Sequence, residues 1–211
     1  MVLHLFIILP AQLAPNSTPD QILNWLPGYI AATIALAVAT GFVSWIVGSM
    51  AQGISIKYTS DFLEKGEASL GSSFSFAGSR ILSILAASLI TGVLIFLGAL
   101  AFVVPGIILA VMFSLVIQTI IIENTGALES LSRSRQLVKD RWLKTFGLLL
   151  LLGIIVFVVV GISSVISSPF GVASTLVSSV LSALILPIIP IGFTLYYYSM
   201  EARINPEPPG Q

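Results

Sequence analysis

The chain has 211 residues, of which 56% are hydrophobic and only 9% charged, with nine basic residues against nine acidic ones. A soluble domain carries about 25% charged residues, and a mean hydropathy of +1.05 leaves more apolar surface than such a domain could hide; disorder, which needs low hydrophobicity and high charge, is excluded too. Zero cysteines exclude a disulfide framework, an iron–sulfur cluster and a thiol nucleophile, and one histidine is too few for a His-based metal site or catalytic triad.

The fold class is therefore all-α: a polytopic transmembrane helical bundle, with 1–211 as a single integral membrane domain. A helix needs about 20 apolar residues to cross the hydrocarbon core, and a charge at the bilayer centre costs roughly 2.5–3.5 kcal/mol on insertion scales. Spans must lie in the charge-free gaps, residues 21–56, 81–122 and 145–200.

In chain order, residues 1–13 come first. They would reach only about 20 Å as a helix, short of a ~30 Å core, and read as a short or truncated N-terminal helix that contains His4. Asn16-Ser17-Thr18 is a formal glycosylation sequon, with Pro19 directly after it. The first gap holds one span, about 25–56. Its rows of small residues, Ala31, Ala35 and Ala39 beside Thr33, Ala37 and Gly41, let helix backbones approach closely, within the chain or across a homodimer. The second gap is cut by Val103-Val104-Pro105-Gly106, a turn signal, which predicts spans over about 81–102 and 106–123. The third is cut by the run from Ser163 to Gly171, which holds Pro169. It predicts spans over about 144–162 and 171–200, the last kinked by Pro187 and Pro190.

With these five spans every lysine and arginine falls on one side, and the opposite loops carry only Asp20. The positive-inside rule makes the basic side, and with it the C-terminus, cytoplasmic. Two cytoplasmic amphipathic elbows, residues 57–80 and 123–144, join spans on that side. In the second, Leu128, Leu131, Arg135 and Val138 share helical spacing, with Trp142 following; Glu129 and Arg133 are an i,i+4 pair. This predicts an interfacial helix with Trp142 at headgroup depth. Arg133, Arg135, Lys139, Arg141 and Lys144 form a ledge for lipid phosphate or a partner, since Arg presents a planar donor fork and Lys a point charge. Plain anchoring to anionic lipid, about 1 kcal/mol per basic residue, is the other reading. The cluster is too sparse for nucleic acid.

The spans contain no ionisable residue, which argues against ion-driven pumping. Gln52, Gln118 and Glu123 could line a polar intramembrane pocket, or serve interhelical hydrogen bonding. No GxSxG, HExxH, Walker A or GxGxxG motif is present, and no catalytic residue, metal or cofactor is expected.

The residues DFLEKGEASLGSSFSFA (61–77), the hairpin at Pro105-Gly106, and IIENTGALESLSRSRQLVKDRWLKTFGLLLLL (121–152) resemble the membrane domain attached to some glycerophosphodiester phosphodiesterases, and related stand-alone prokaryotic membrane proteins of unknown function. Glu123, Ala127-Leu128 with Ser132 and Ser134, and Leu137 to Trp142 match that family's recurring features; Asp140 stands where Gly is usual. The resemblance implies a six-helix domain with both termini inside; it does not imply phosphodiesterase activity, because the catalytic barrel is a separate domain. The expected function is that of a non-catalytic membrane scaffold or accessory subunit touching lipid headgroups or a protein partner. A small transporter for a neutral or lipid-like substrate is the alternative.

Overall fold

The computed structural model describes residues 18–167, 174–185 and 187–204, and the expectations placed on residues 1–13 lie outside them. Among the described residues the chain is helical, with no strand. Eight α-helices follow in order: α1 (Pro19–Lys65), α2 (Leu70–Ala101), α3 (Val103–Met112), α4 (Val116–Ile122), α5 (Ala127–Val138), α6 (Trp142–Ser167), α7 (Ser174–Ile185) and α8 (Ile188–Ile204), with a 3-10 turn at Lys139–Arg141 before α6. Five stretches are long and apolar enough to cross a membrane: Pro19–Lys65, Leu70–Ala101, Val103–Ile122, Ala127–Ser167 and Leu176–Arg203. They match the five expected spans, except that residues 171–173 and 186 of the last lie outside the described residues, and the chain is an all-α membrane protein. Large apolar side chains such as Leu82, Phe96, Leu100 and Phe157 stand exposed, as they must when the surrounding medium is lipid tail rather than water.

Two compact units divide the chain, Met1–Gly48 and Ser49–Gln211. In the first, the described residues belong to α1. Thr18 precedes Pro19, which fits the first helical position because its missing N–H has no intrahelical partner there anyway. Thr33 and Thr40 turn their hydroxyls back to the carbonyls of Tyr29 and Leu36 at 2.8 and 2.7 Å, so neither leaves an unpaired donor in an apolar helix. Trp25 stacks on Tyr29 with ring centroids 4.7 Å apart. Ala31, Ala35 and Ala39 are exposed.

The second unit holds two apolar clusters. One gathers Ile56, Ile84, Ala87, Val116, Ile120, Ile121 and Leu131; the other gathers Val111, Leu115, Leu137, Val138, Leu152, Phe193, Tyr197 and Met200. α5 contributes to both, and Ile122 of α4 packs against both.

Three boundaries differ from expectation. The first elbow forms no helix of its own: residues 57–65 complete α1 and 70–80 begin α2. Gly66, at φ +73, turns the chain between them, and its N–H donates to Phe62 O at 3.0 Å. This is the left-handed helix stop that glycine makes without strain. At the Pro-Gly hairpin the break falls at Phe102, whose backbone is extended. Pro105 and Gly106 sit in the first turns of α3, where a missing N–H costs little. Gly106 is what allows the hairpin to close, since a Cβ there would lie 2.8 Å from the Cβ of Ala99 and 2.9 Å from its backbone. Third, the helix expected to end near residue 162 runs on through Ser163 and Ser164 to Ser167. The kink expected in the last span is a break between α7 and α8 that contains Pro187.

Candidate functional site at the end of the C-terminal helix

The span expected over 106–123 is two helices. Phe113 and Leu115 have φ near −100° and ψ near +10°, which opens the helical ladder. Ser114 returns its hydroxyl to Val111 O at 2.9 Å. Away from water, backbone groups freed by such a break need protein partners. Ser134 of α5 supplies them: its hydroxyl donates to Met112 O at 2.8 Å and accepts from Leu115 N–H at 3.2 Å. One turn earlier, Thr119 Oγ1 donates to Val116 O at 2.8 Å and lies 3.4 Å from Ser130 O. Ser130 and Ser134 are both fully buried.

These contacts correct the expected setting of the second elbow. α5 is helical and amphipathic, but its buried face is Ser130, Leu131, Ser134, Leu137 and Val138. That face packs on α2, α3 and α4 rather than lying on lipid. Leu128, placed on the apolar stripe by spacing, is 74% exposed. Trp142 stacks on Phe146 at 5.6 Å with ring planes 1° apart and packs against the second apolar cluster.

The expected Glu129–Arg133 pair is not the one formed. Arg133 Nε instead donates to both carboxylate oxygens of Glu123, at 2.7 and 3.0 Å. Glu123 caps the C-terminal end of α4, and the turn through Asn124, at φ +60, brings α5 back over it. The side chains of Arg133 and Glu123 are 24% and 20% exposed. Glu123 Oε1 also accepts the phenolic proton of Tyr197 at 2.5 Å.

Tyr197 is the middle of three consecutive tyrosines in α8, and each reaches a different helix. Tyr196 OH and Thr145 Oγ1 of α6 are 2.8 Å apart. Tyr197 meets Glu123 at the end of α4. Tyr198 donates to Glu64 of α1, and Ser60 Oγ lies 2.7 Å from its phenol oxygen. Successive helical residues point about 100° apart, so a helix surrounded by others can hydrogen-bond in three directions from one turn.

Of the ledge residues, Arg133 is therefore committed to Glu123. Arg135, Lys139 and Lys144 are exposed, and Arg141 is half-buried. The three residues suggested for a polar pocket share no common setting: Gln52 is exposed, Glu123 is engaged as described, and Gln118 is 4% exposed. Gln118 Oε1 has no hydrogen-bond partner among the described residues.

A second polar site escaped the sequence reading. Asp61 Oδ1 accepts from Lys57 at 3.0 Å and from Lys65 at 2.7 Å. Lys57 also lies 4.8 Å above the centre of the Phe76 ring, a cation–π distance. A cavity of about 330 Å³ opens here, lined by Asp61, Lys65, Glu67, Ala68, Ser69 and Ser72. The spacing 57, 61, 65 was the available signal. Among the described residues no cluster of three or more His, Cys, Asp or Glu is placed to hold a metal ion.

The family described as a domain of unknown function (DUF7847) matches residues 17–200. The chain belongs to that family. No curated protein matches the chain, and no solved structure does. The matched residues take in the helix break, its serine clamp, the Glu123–Arg133 pair and the three tyrosines, so the whole network belongs to the family domain.

Proposed function

We propose that the chain is a non-catalytic integral membrane protein that holds anionic phospholipid headgroups on the segment after α4, as a scaffold or accessory subunit. The observation that carries this reading is the exposure of Arg135, Lys139 and Lys144 on a segment clamped from below by Ser130 and Ser134. A clamped segment presents its charges in fixed places, so less ordering entropy opposes binding. By the positive-inside rule this face is cytoplasmic, in a prokaryotic cell membrane, with the C-terminus on the same side. The resemblance of residues 61–152 to the membrane domain of glycerophosphodiester phosphodiesterases belongs to this reading.

Native mass spectrometry of the detergent-purified protein tests it. Wild type should retain phosphatidylglycerol in preference to phosphatidylcholine, and an Arg135→Gln/Lys139→Gln/Lys144→Gln variant should lose that preference. Unchanged retention would sink the proposal. Transport of a neutral or lipid-like substrate is the second reading. The discontinuous α3–α4 helix and the unpartnered Gln118 carbonyl favour it, because broken helices line many transporter sites. Substrate flux into vesicles that Gln118→Leu abolishes would make it the first.

A further inference from the structure

Arg133 stands apart from the other basic residues of its segment, because it touches both the surface and the core. Only its Nε is used, by the two oxygens of Glu123. Neither Nη group has a hydrogen-bond partner among the described residues, and neither is a buried unsatisfied atom. The guanidinium is thus held by its inner edge, with its outer two-nitrogen edge left open. That edge can grip two phosphate oxygens at once. The Glu123–Arg133 pair is neutral, so the attraction for an anion must come from Arg135, Lys139, Arg141 and Lys144, and Arg133 supplies geometry. On the far side of the pair, Glu123 Oε1 is shared with Tyr197, which is fully buried in α8.

We infer that Arg133 is a pre-oriented fork for a phosphate group, and that phosphate bound there is coupled through Glu123 to Tyr197 and so to the docking of α8. The inference rests on the lipid-binding reading above and adds to it the recognising residue and the consequence of binding. The relay is short and continuous: phosphate oxygen, guanidinium, carboxylate, phenol. An anion on the outer edge fixes the guanidinium plane, which fixes the carboxylate that Tyr197 needs. Ligands that favour one state shift stability by their differential affinity alone, so occupancy should be visible as added resistance to unfolding.

The test uses the full chain in detergent, titrated with phosphatidylglycerol, phosphatidylcholine or inorganic phosphate. The readouts are lipid retention by native mass spectrometry and the thermal unfolding midpoint. In wild type, phosphatidylglycerol is retained and raises the midpoint. Arg133→Lys keeps the charge but not the planar fork, so phosphatidylglycerol binds more weakly and both retention and the rise fall below wild type. Tyr197→Phe keeps fork and ion pair but cuts the link to α8, so by reciprocity retention and the rise both fall short of wild type. A full rise in Arg133→Lys overturns the fork and leaves the ledge standing. A full rise in Tyr197→Phe overturns the coupling, and decides the matter even if Arg133→Lys does not fold. Wild-type retention in the Arg135→Gln/Lys139→Gln/Lys144→Gln variant overturns the ledge itself. An Arg133-dependent rise with inorganic phosphate assigns the fork to free phosphate; a rise with phosphatidylglycerol alone assigns it to a lipid headgroup.

Discussion

Tyr197 and Glu123 lie 74 residues apart in sequence and meet across 2.5 Å, the phenol donating to Oε1 of the carboxylate. Arg133 Nε donates to the same oxygen at 2.7 Å. Three helices of the second unit therefore converge on one carboxylate.

Because Tyr197 is fully buried and its acceptor is charged, Tyr197→Phe should cost about 1.5–3 kcal/mol, the range for hydrogen bonds to ionised groups. Tyr198→Phe should cost less, since Glu64, its acceptor, is exposed to solvent. Chemical unfolding of the two variants in detergent gives the comparison, and equal losses would contradict it.

A double-mutant cycle should separate the two ion-pair sites. Glu123 and Arg133 are each largely shielded and joined through two oxygens, so their coupling should be about 1–3 kcal/mol. Lys65 is 63% exposed, and its coupling to Asp61 should be the weaker of the two and fall with added salt.

Ser134→Ala removes the hydroxyl that serves the α3–α4 break, leaving the buried Leu115 N–H and the part-buried Met112 C=O without that partner. A loss of about 1–3 kcal/mol is expected, the desolvation cost of orphaned backbone groups. Ser132→Ala, two residues away on the exposed face, should change stability by no more than about 0.5 kcal/mol.

Gly106→Ala should destabilise by about 1–3 kcal/mol, the cost of forcing atoms into filled space, because the new methyl would meet Ala99 backbone that cannot rotate away. Gly28 has no atom within 4 Å of where its Cβ would stand. Gly28→Ala should stabilise α1 by about 0.5–1 kcal/mol. Thermal unfolding of the pair reads the sign of each change.

The spans were legible because charge avoidance is written locally: a run either holds a lysine or does not. Helix punctuation was legible where one residue type enforces it, as at Pro187, and displaced by a few residues at Pro105-Gly106, where proline sits inside the helix start. The α3–α4 break was not legible. Residues 111–118 contain no Pro or Gly, and the break depends on Ser134, 22 residues from Met112. The partner of Arg133 was misread for a related reason. The i,i+4 rule favoured Glu129, but the turn through Asn124 carries α5 back to Glu123. Tyr196, Tyr197 and Tyr198 were passed over because phenols in an apolar run look like core, and only their partners on three other helices reveal a polar task.

The serine that satisfies the α3–α4 break lies downstream of it, and this fixes an order of events during synthesis. When residues 103–122 leave the ribosome, Ser134 is still inside the exit tunnel, so its hydroxyl cannot reach Met112 and Leu115. In an apolar medium the segment then has every reason to remain one continuous helix. It can bend into two only after α5 has emerged and folded back, so the third hydrophobic segment takes its final form later than its place in the chain implies.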